Sequence, residues 1–331
     1  MPYFQIGALL EPGIRNEFGM VYMPIYQGVR AQIGEVMWLD ATSDKLEESF
    51  GFMNAPLYMR RWPADSIIPS ASVGSQRFTL INRDFGRRAV LPRNVEDDQT
   101  GTALTVARGL ATTAAILPEQ IFYQYIQAGT DNNLLPNVPN SADGSALYLT
   151  TTRYGSSSGN VVSVTGTSTV QQIITDIFTV HRRFIDFQNT ESQPFFDAVN
   201  TKNMSVFHGS TLSLVMAQAE FQTRVHSTIA GSSTTDVQTG ATPTNMLQEA
   251  GFNIRFVNSQ RITGSLYYNF LRGLPNYMRP IIRQVRKGYT EYPGNFVNSD
   301  YSRDTGQTYI QADLREGWGS ALAIGTIRVG T

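Results

Sequence analysis

The only stretch with the outline of a catalytic motif is Gly155-Ser156-Ser157-Ser158-Gly159. It matches Gly-x-Ser-x-Gly, the turn that exposes a nucleophilic serine where a strand runs into a helix. Here the turn leads into a strand pattern instead, Val161, Val162 and Val164. The motif therefore fails its structural context, and no catalytic residue is assigned. Metal chemistry has little to work with, because the chain holds three histidines and no cysteine. His181 lies on an apolar helical stripe and reads as a hydrogen-bonded core or edge residue. His208 and His226 have no carboxylate or second histidine at ligand spacing. No metal site and no cofactor is expected. Asn203-Met204-Ser205 is a glycosylation sequon only in a secreted protein and is discounted.

Composition narrows the classes further. With 26 basic and 27 acidic residues among 331, the chain lacks the polycationic balance of a nucleic-acid reader. A charged fraction of 16% is low beside the roughly 25% of ordinary soluble domains, which fits a surface covered by partners or one rich in Ser, Thr and Asn. The absence of cysteine excludes disulfides and thiolate catalysis and is consistent with cytosolic assembly. No run of 18 apolar residues and no signal peptide is present, so a soluble, unexported protein without membrane contact is expected. The length suggests about two domains.

The elements that organise the chain lie between Arg77 and Gly129. Arg77–Arg93 reads as a two-stranded extended segment, with Phe78, Leu80, Ala89 and Leu91 alternating about a turn at Asn82–Gly86. The acidic break Glu96-Asp97-Asp98 comes next, where negative charge favours a helix N-terminus, and Asn94, Asp97 or Asp98 could cap it. Ala103, Ala107, Leu110, Ala114 and Leu117 then recur at the spacing of one helical face over Asp98–Ile116. Gly109 in that face predicts a close approach of neighbouring backbone. Pro118 fits the first position of a second, shorter helix, with Ile121, Phe122 and Tyr125 as its stripe and Gly129 at its end.

Pro92-Arg93-Asn94-Val95-Glu96-Asp97-Asp98-Gln99-Thr100-Gly101, after Phe78-Thr79-Leu80-Ile81-Asn82-Arg83-Asp84-Phe85, resembles the major head (capsid) proteins of Mu-like tailed phages. Pro118-Glu119-Gln120-Ile121-Phe122 and the strand–turn–helix at Met204–Glu220 add to the likeness, which rests on order and spacing together. The resemblance implies an α+β chain of the Hong Kong 97 phage-type capsid fold. That fold has an N-terminal arm (1–40), an extended β-hairpin loop region (41–95), a peripheral spine-helix domain (96–130 and 276–331) and an axial domain (131–275). It also implies inter-subunit contacts from Arg77, Phe78, Arg83, Phe85, Arg87, Arg88 and Arg93 of the extended loop. Glu96, Asp97, Asp98, Ala103, Ala107, Leu110 and Ala114 would belong to the spine helix.

Elsewhere, residues 1–37 lack a clean period and read as an irregular segment or, by the resemblance, an arm reaching neighbouring subunits. Met1 is present, so no large N-terminal scaffolding segment is expected. Ser43–Met53 reads as a short helix from the spacing of Leu46, Phe50 and Met53. Ala146–Tyr154 and Asn160–Val164 read as a hairpin. Val170–Phe187 is an amphipathic helix with Ile173, Ile177, Val180 and Phe184 on one stripe, Ser168 and Gln171 having capping-box spacing. Met204–His208 reads as a strand, and Ser210 as the cap of a helix over Thr211–Phe221. Gly231–Thr244 is a Ser/Thr/Gly-rich loop. Phe252–Phe256, Arg279–Tyr292, Tyr309–Glu316 and Ala321–Val329 are strands. Arg279, Arg283, Arg286 and Lys287 form either a salt-bridged strand face or a basic strip.

The function the resemblance implies is a major capsid protein. Copies would assemble as hexamers and pentamers into the icosahedral head of a tailed phage, enclosing double-stranded DNA without reading its sequence. Scaffold, portal and decoration proteins would be partners, with assembly in the host cytoplasm and the product in the virion. Only Lys45, Lys202 and Lys287 are lysines, none within 70–95, so a shell held without lysine–asparagine crosslinks is expected. The alternative of the same fold is an encapsulin-like compartment for protein cargo. A hydrolase lacks a converging nucleophile, base and acid, and a tail or fibre protein would show repeats that are absent.

Overall fold

The computed structural model describes residues 5–53, 75–92, 100–128, 141, 143–154, 159–163, 169–189, 192–221, 246–293 and 307–330. In chain order its elements are α1 (Gln5–Ile33), β1 (Met37–Thr42), β2 (Glu47–Met53), β3 (Ser75–Ile81), β4 (Arg83–Pro92), α2 (Thr100–Ala128), β5 (Val161–Val162), α3 (Val170–Asp186), β6 (Asn203–His208), α4 (Ser213–Phe221), α5 (Met246–Glu249), β7 (Asn253–Asn258), β8 (Tyr267–Leu271), β9 (Ile281–Pro293), β10 (Gln307–Ser320) and β11 (Thr326–Val329). Two compact units divide them. The first takes Met1–Gly51, Arg77–Ser141 and Ile281–Ala321, the second Phe52–Gln76, Ala142–Pro280 and Leu322–Thr331.

The first unit is built on a four-stranded sheet in the order β1-β9-β10-β4, antiparallel except for the β1–β9 pair. α1 and α2 pack on each other, α1 also meeting β9 and α2 meeting β10. Their shared core is Ile14, Phe18, Ala103, Ala107, Leu110 and Ala111 with Leu91 and Ile310 of the sheet. The alanine face of α2 is thus where the sequence pattern puts it, and Ala111 and Ala115 are fully buried as well.

Three expectations about these helices are corrected. The N-terminal segment is regular: Ile14 and Phe18, then Val29 and Ile33, recur at four-residue spacing and are buried. Phe18, Tyr22 and Tyr26 stack in sequence, with centroids 5.7 and 5.5 Å apart. Pro12 and Pro24 sit inside this helix although each interior proline costs about 3 kcal/mol, so packing against α2 outweighs local propensity. Likewise α2 runs through Pro118 without a break. Pro118 has no N–H for the carbonyl of Ala114, yet Ile121, Phe122, Tyr123 and Ile126 beyond it are all fully buried, and their burial carries the helix on. Gly109 is also corrected, because a Cβ there would meet nothing within 4 Å.

In the second unit a five-stranded sheet has the order β5-β11-β8-β6-β7. β11 runs parallel to β5 and antiparallel to β8, and β6 runs antiparallel to β8 and parallel to β7. α3, α4 and the turn before α4 contribute to its core through Ile173, Ile177, Val180, Phe184, Leu212 and Met216 against Met204, Val206, Tyr267, Ile327 and Val329. The stripe on α3 is the one its sequence spacing gives, each such side chain worth about 1.5–3 kcal/mol on burial. Its cap is shifted one residue from the expected Ser168/Gln171 pair: Thr169 Oγ1 accepts the N–H of Gln172 at 3.2 Å. Residues 210–212 form a 3-10 turn before α4.

The expected hairpin over 146–164 is absent. Residues 146–154 form no strand, and β5 pairs with β11. The closing segment also differs from expectation. β10 ends at Ser320 in the first unit, whereas β11 belongs to the second. β8 has no counterpart among the sequence-based strands. Its five residues are all buried on both faces, so no alternation betrays them. The run Tyr267–Leu271 between Gly264 and Gly273, both at positive φ, is the signal that marks it.

Candidate assembly surface

β2 and β3 form a separate two-stranded sheet, an arm whose further residues, 54–74, lie outside the described ones. This corrects both the helix expected over Ser43–Met53 and the two-stranded pairing expected within Arg77–Arg93. Exposure in β2 alternates with period two, because Phe50 packs on Phe78 at 5.6 Å and edge-on to Trp38 at 6.0 Å. Cross-strand pairing here overrides a helical spacing of only three apolar residues. β3 and β4 are consecutive but join different sheets, with Asn82 between them. Its side-chain amide donates to the carbonyl of Lys45 at 2.6 Å and to Ser43 Oγ at 3.2 Å, which pins the β1–β2 turn.

The residues expected on the loop are therefore dispersed. Phe78 is buried at the arm's base and serves the subunit's own packing. Arg77 belongs to β3. Arg83, Phe85, Arg87 and Arg88 stand on β4, the edge strand beside β10. Arg83 and Phe85 are half-buried, Arg87 and Arg88 exposed. Arg88 lies 4.3 Å over the ring of Tyr309 and donates to Gln311 Oε1 at 2.9 and 3.1 Å. Arg93, Glu96, Asp97 and Asp98, with the possible cap Asn94, lie outside the described residues, as does the loop 231–244.

What the sequence did not reveal is the polar network under this surface. Arg283 on β9 donates from Nε to Glu316 Oε2 at 2.6 Å, and Glu316 Oε1 accepts the indole N–H of Trp318 at 2.7 Å. Arg283 also donates to the hydroxyl of Tyr26 on α1 at 2.8 Å, and that hydroxyl donates to Asp40 on β1 at 3.0 Å. Arg283 and Glu316 are buried. Burial opposes the guanidinium's charge, but the carboxylate of Glu316 and the nearby tyrosines outweigh it and hold the pKa above its ordinary value. Burial pushes Tyr22 up to about 12 against the opposing charge of Arg283. Of the expected basic strip, Arg279 instead donates to the carbonyl of Leu274 and Lys287 pairs with Asp313 at 3.0 Å. Arg286 is exposed.

His181 and His208 are structural, and His226 lies outside the described residues. His181 Nδ1 meets Thr201 Oγ1 at 2.9 Å, and His208, buried, lies 3.0 Å from the carbonyl of Gly209. Desolvation lowers both pKa values, with hydrogen bonding opposing. An imidazole held neutral in the fold stabilises fully above its unfolded pKa of about 6.5, and the contribution is lost as pH falls below it. The urea midpoint should thus drop between pH 7 and 5, and His208→Gln should flatten that slope; an unchanged slope would show that His208 has the same pKa folded and unfolded. Among the described residues no group of His, Asp and Glu could hold a metal ion, and no helix is long and apolar enough to cross a membrane.

Comparison with known proteins gives the arrangement a context. The family model described as Mu-like prophage major head subunit gpT matches residues 14–211. No curated protein sequence matches the chain. The fold is similar to that of the capsid of Cyanophage P-SCSP1u (TM-score 0.52, 8% identity, 90% of this chain and 87% of that one). It is similar to the mature capsid of bacteriophage PhiM1 (0.52, 9%, 89% and 85%). A third similar structure is the virus-like particle from Pyrococcus furiosus (0.52, 6%, 95% and 98%).

Proposed function

The chain belongs to the Mu-like prophage major head subunit gpT family, and from that premise we propose how its copies build a head. It is a major capsid protein, a structural component of the virion, and its α+β fold is that of phage capsids of the Hong Kong 97 type. In the proposed assembly the copies associate as hexamers and pentamers that close into an icosahedral shell around double-stranded DNA in the host cytoplasm, with scaffold, portal and decoration proteins as partners. The first unit is proposed as the peripheral, spine-helix domain and the second as the axial domain. α2 is the proposed spine, and Arg83, Arg87 and Arg88 on β4 together with the β2–β3 arm are proposed to contact neighbours. The shell would be held without covalent crosslinks. The observation that carries this reading is the family match, which runs from α1 to the turn after β6 and so through both units.

Chain expressed with its neighbouring genes should give closed particles of uniform diameter in negative-stain micrographs, eluting near the void volume in size exclusion. A monomer under every condition, with or without a scaffold, would overturn the proposal. A second reading within the same fold, which the virus-like particle from Pyrococcus furiosus shares, is a compartment for protein cargo. Particles holding one enzyme and no DNA would select it.

A further inference from the structure

The first unit carries two exposed clusters of opposite charge that cannot satisfy each other within one chain. In the turn leading into β2, Asp44 and Glu47 are exposed, and among the described residues their carboxylates meet no cation. Beside them Leu46 is 52% exposed and Ile81 42%, brought together by the 2.9 Å bond from the N–H of Asn82 to the carbonyl of Leu46. On β4, the guanidinium of Arg87 is exposed without a hydrogen-bond or ion-pair partner among the described residues, and Val90 is 46% exposed. Asp44, Lys45, Glu47 and Glu48 carry a net charge of −2, and the exposed Arg87 and Arg88 of +2. Since Asn82 is bonded to the turn, Arg87 and Val90 stand five and eight residues away along β4, about 16 and 26 Å at strand rise. That is too far for the turn to reach Arg87 or Val90 of its own chain.

We propose that the acidic turn of one copy docks on β4 of the next copy, Leu46 and Ile81 covering Val90 while Asp44 and Glu47 face Arg87 and Arg88. Both halves lie on the same chain at different places, so the contact is heterologous and can repeat from subunit to subunit around a ring. The charges set register and partner choice, and the apolar residues between them exclude water. Arg88, already flattened on Tyr309 and held by Gln311, presents its charge without further ordering cost. The inference rests on the shell reading and names the partner surface within it.

The chain has no cysteine, so a Leu46→Cys, Val90→Cys double variant reports the contact directly. Oxidised particles should give a ladder of covalent oligomers on a non-reducing gel, since a disulfide needs Cα atoms within about 7 Å. Neither single variant, nor the unassembled double variant, should give it. Glu47→Arg and Arg87→Glu should each lower particle yield about tenfold, and their combination should restore it, with unchanged thermal melts showing that every variant folds. Particles of normal yield from both single charge variants, with no ladder, would overturn the proposed contact and leave the shell reading standing. So would an Arg87→Glu particle that is intact but empty of DNA, which would assign β4 to nucleic acid. Wild-type chain that never assembles would overturn both.

Discussion

Truncating Glu316 to alanine should destabilise the first unit by about 3–5 kcal/mol, the usual loss when one partner of a buried ion pair is removed. Glu316 is fully buried and Arg283 nearly so. The carboxylate binds the guanidinium on one oxygen and the indole of Trp318 on the other. Its removal leaves Arg283 charged inside the unit with only the Tyr26 hydroxyl close by and Asp40 at 3.9 Å. Because Tyr26 belongs to α1, Asp40 to β1 and the pair to β9 and β10, the loss should loosen the helix from the sheet. Urea unfolding of the unassembled chain checks the size. Hydrogen exchange should show faster opening of α1. Replacing both charges, Arg283→Met with Glu316→Leu, should recover most of the loss, because no orphaned charge then remains. A double variant as unstable as Glu316→Ala would mean that packing, and not the unpaired charge, sets the cost.

Asn160→Ala is expected to cost on the order of 4 kcal/mol in the second unit, the sum of a few buried groups left unpaired at about 1–3 kcal/mol each. The side chain has no exposure. Its amide hydrogens are shared among the carbonyls of Leu147 at 2.7 Å, Thr326 at 3.1 Å and Ala323 at 3.2 Å, and its oxygen accepts the N–H of Leu149 at 2.9 Å. One asparagine thus ties the irregular segment 147–149 to the entry of β11. Arg153 completes the cluster, bound to Asp143 at 2.6 Å and to the carbonyl of Leu147 at 2.8 Å. Gly159→Ala should be at least as harmful. Its φ is +59°, and a methyl group would collide with the carbonyl oxygens of Leu149 and Thr151. Both variants are read by urea or thermal unfolding. A shift under 1 kcal/mol for Asn160→Ala would mean that water replaces the lost amide.

Of the Gly-x-Ser-x-Gly match, only Gly159 is among the described residues. Gly159 is there for a backbone that must approach two carbonyls, and Asn160 after it is a strut. The strand expected after the motif is present as β5, two residues long, and the chain's family consists of head subunits and not hydrolases.

The sequence by itself determined what is local or strongly periodic. The alanine face of α2 and the Ile173–Phe184 stripe of α3 follow from side chains three and four residues apart meeting on one side of a helix. β6, β7, β9 and β10 lie where their patterns put them. The order of the acidic break, the spine and the strand–turn–helix at 204–220 was enough for the family. Tertiary structure alone decided the rest, because it depends on partners distant in the chain. Whether β3 pairs with β4 or β2 is a choice between hydrogen-bond ladders of similar local propensity, and the aromatic packing of Phe50 on Phe78 and Trp38 goes with β2. α1 holds its prolines and glycines in a helix only because α2 is there to bury Ile14 and Phe18. Arg283 and Glu316, separated by 33 residues, look in the sequence like any basic and acidic residues on alternating strands. Their burial, and hence their energetic weight, comes from the pairing of β9 with β10 beneath α1.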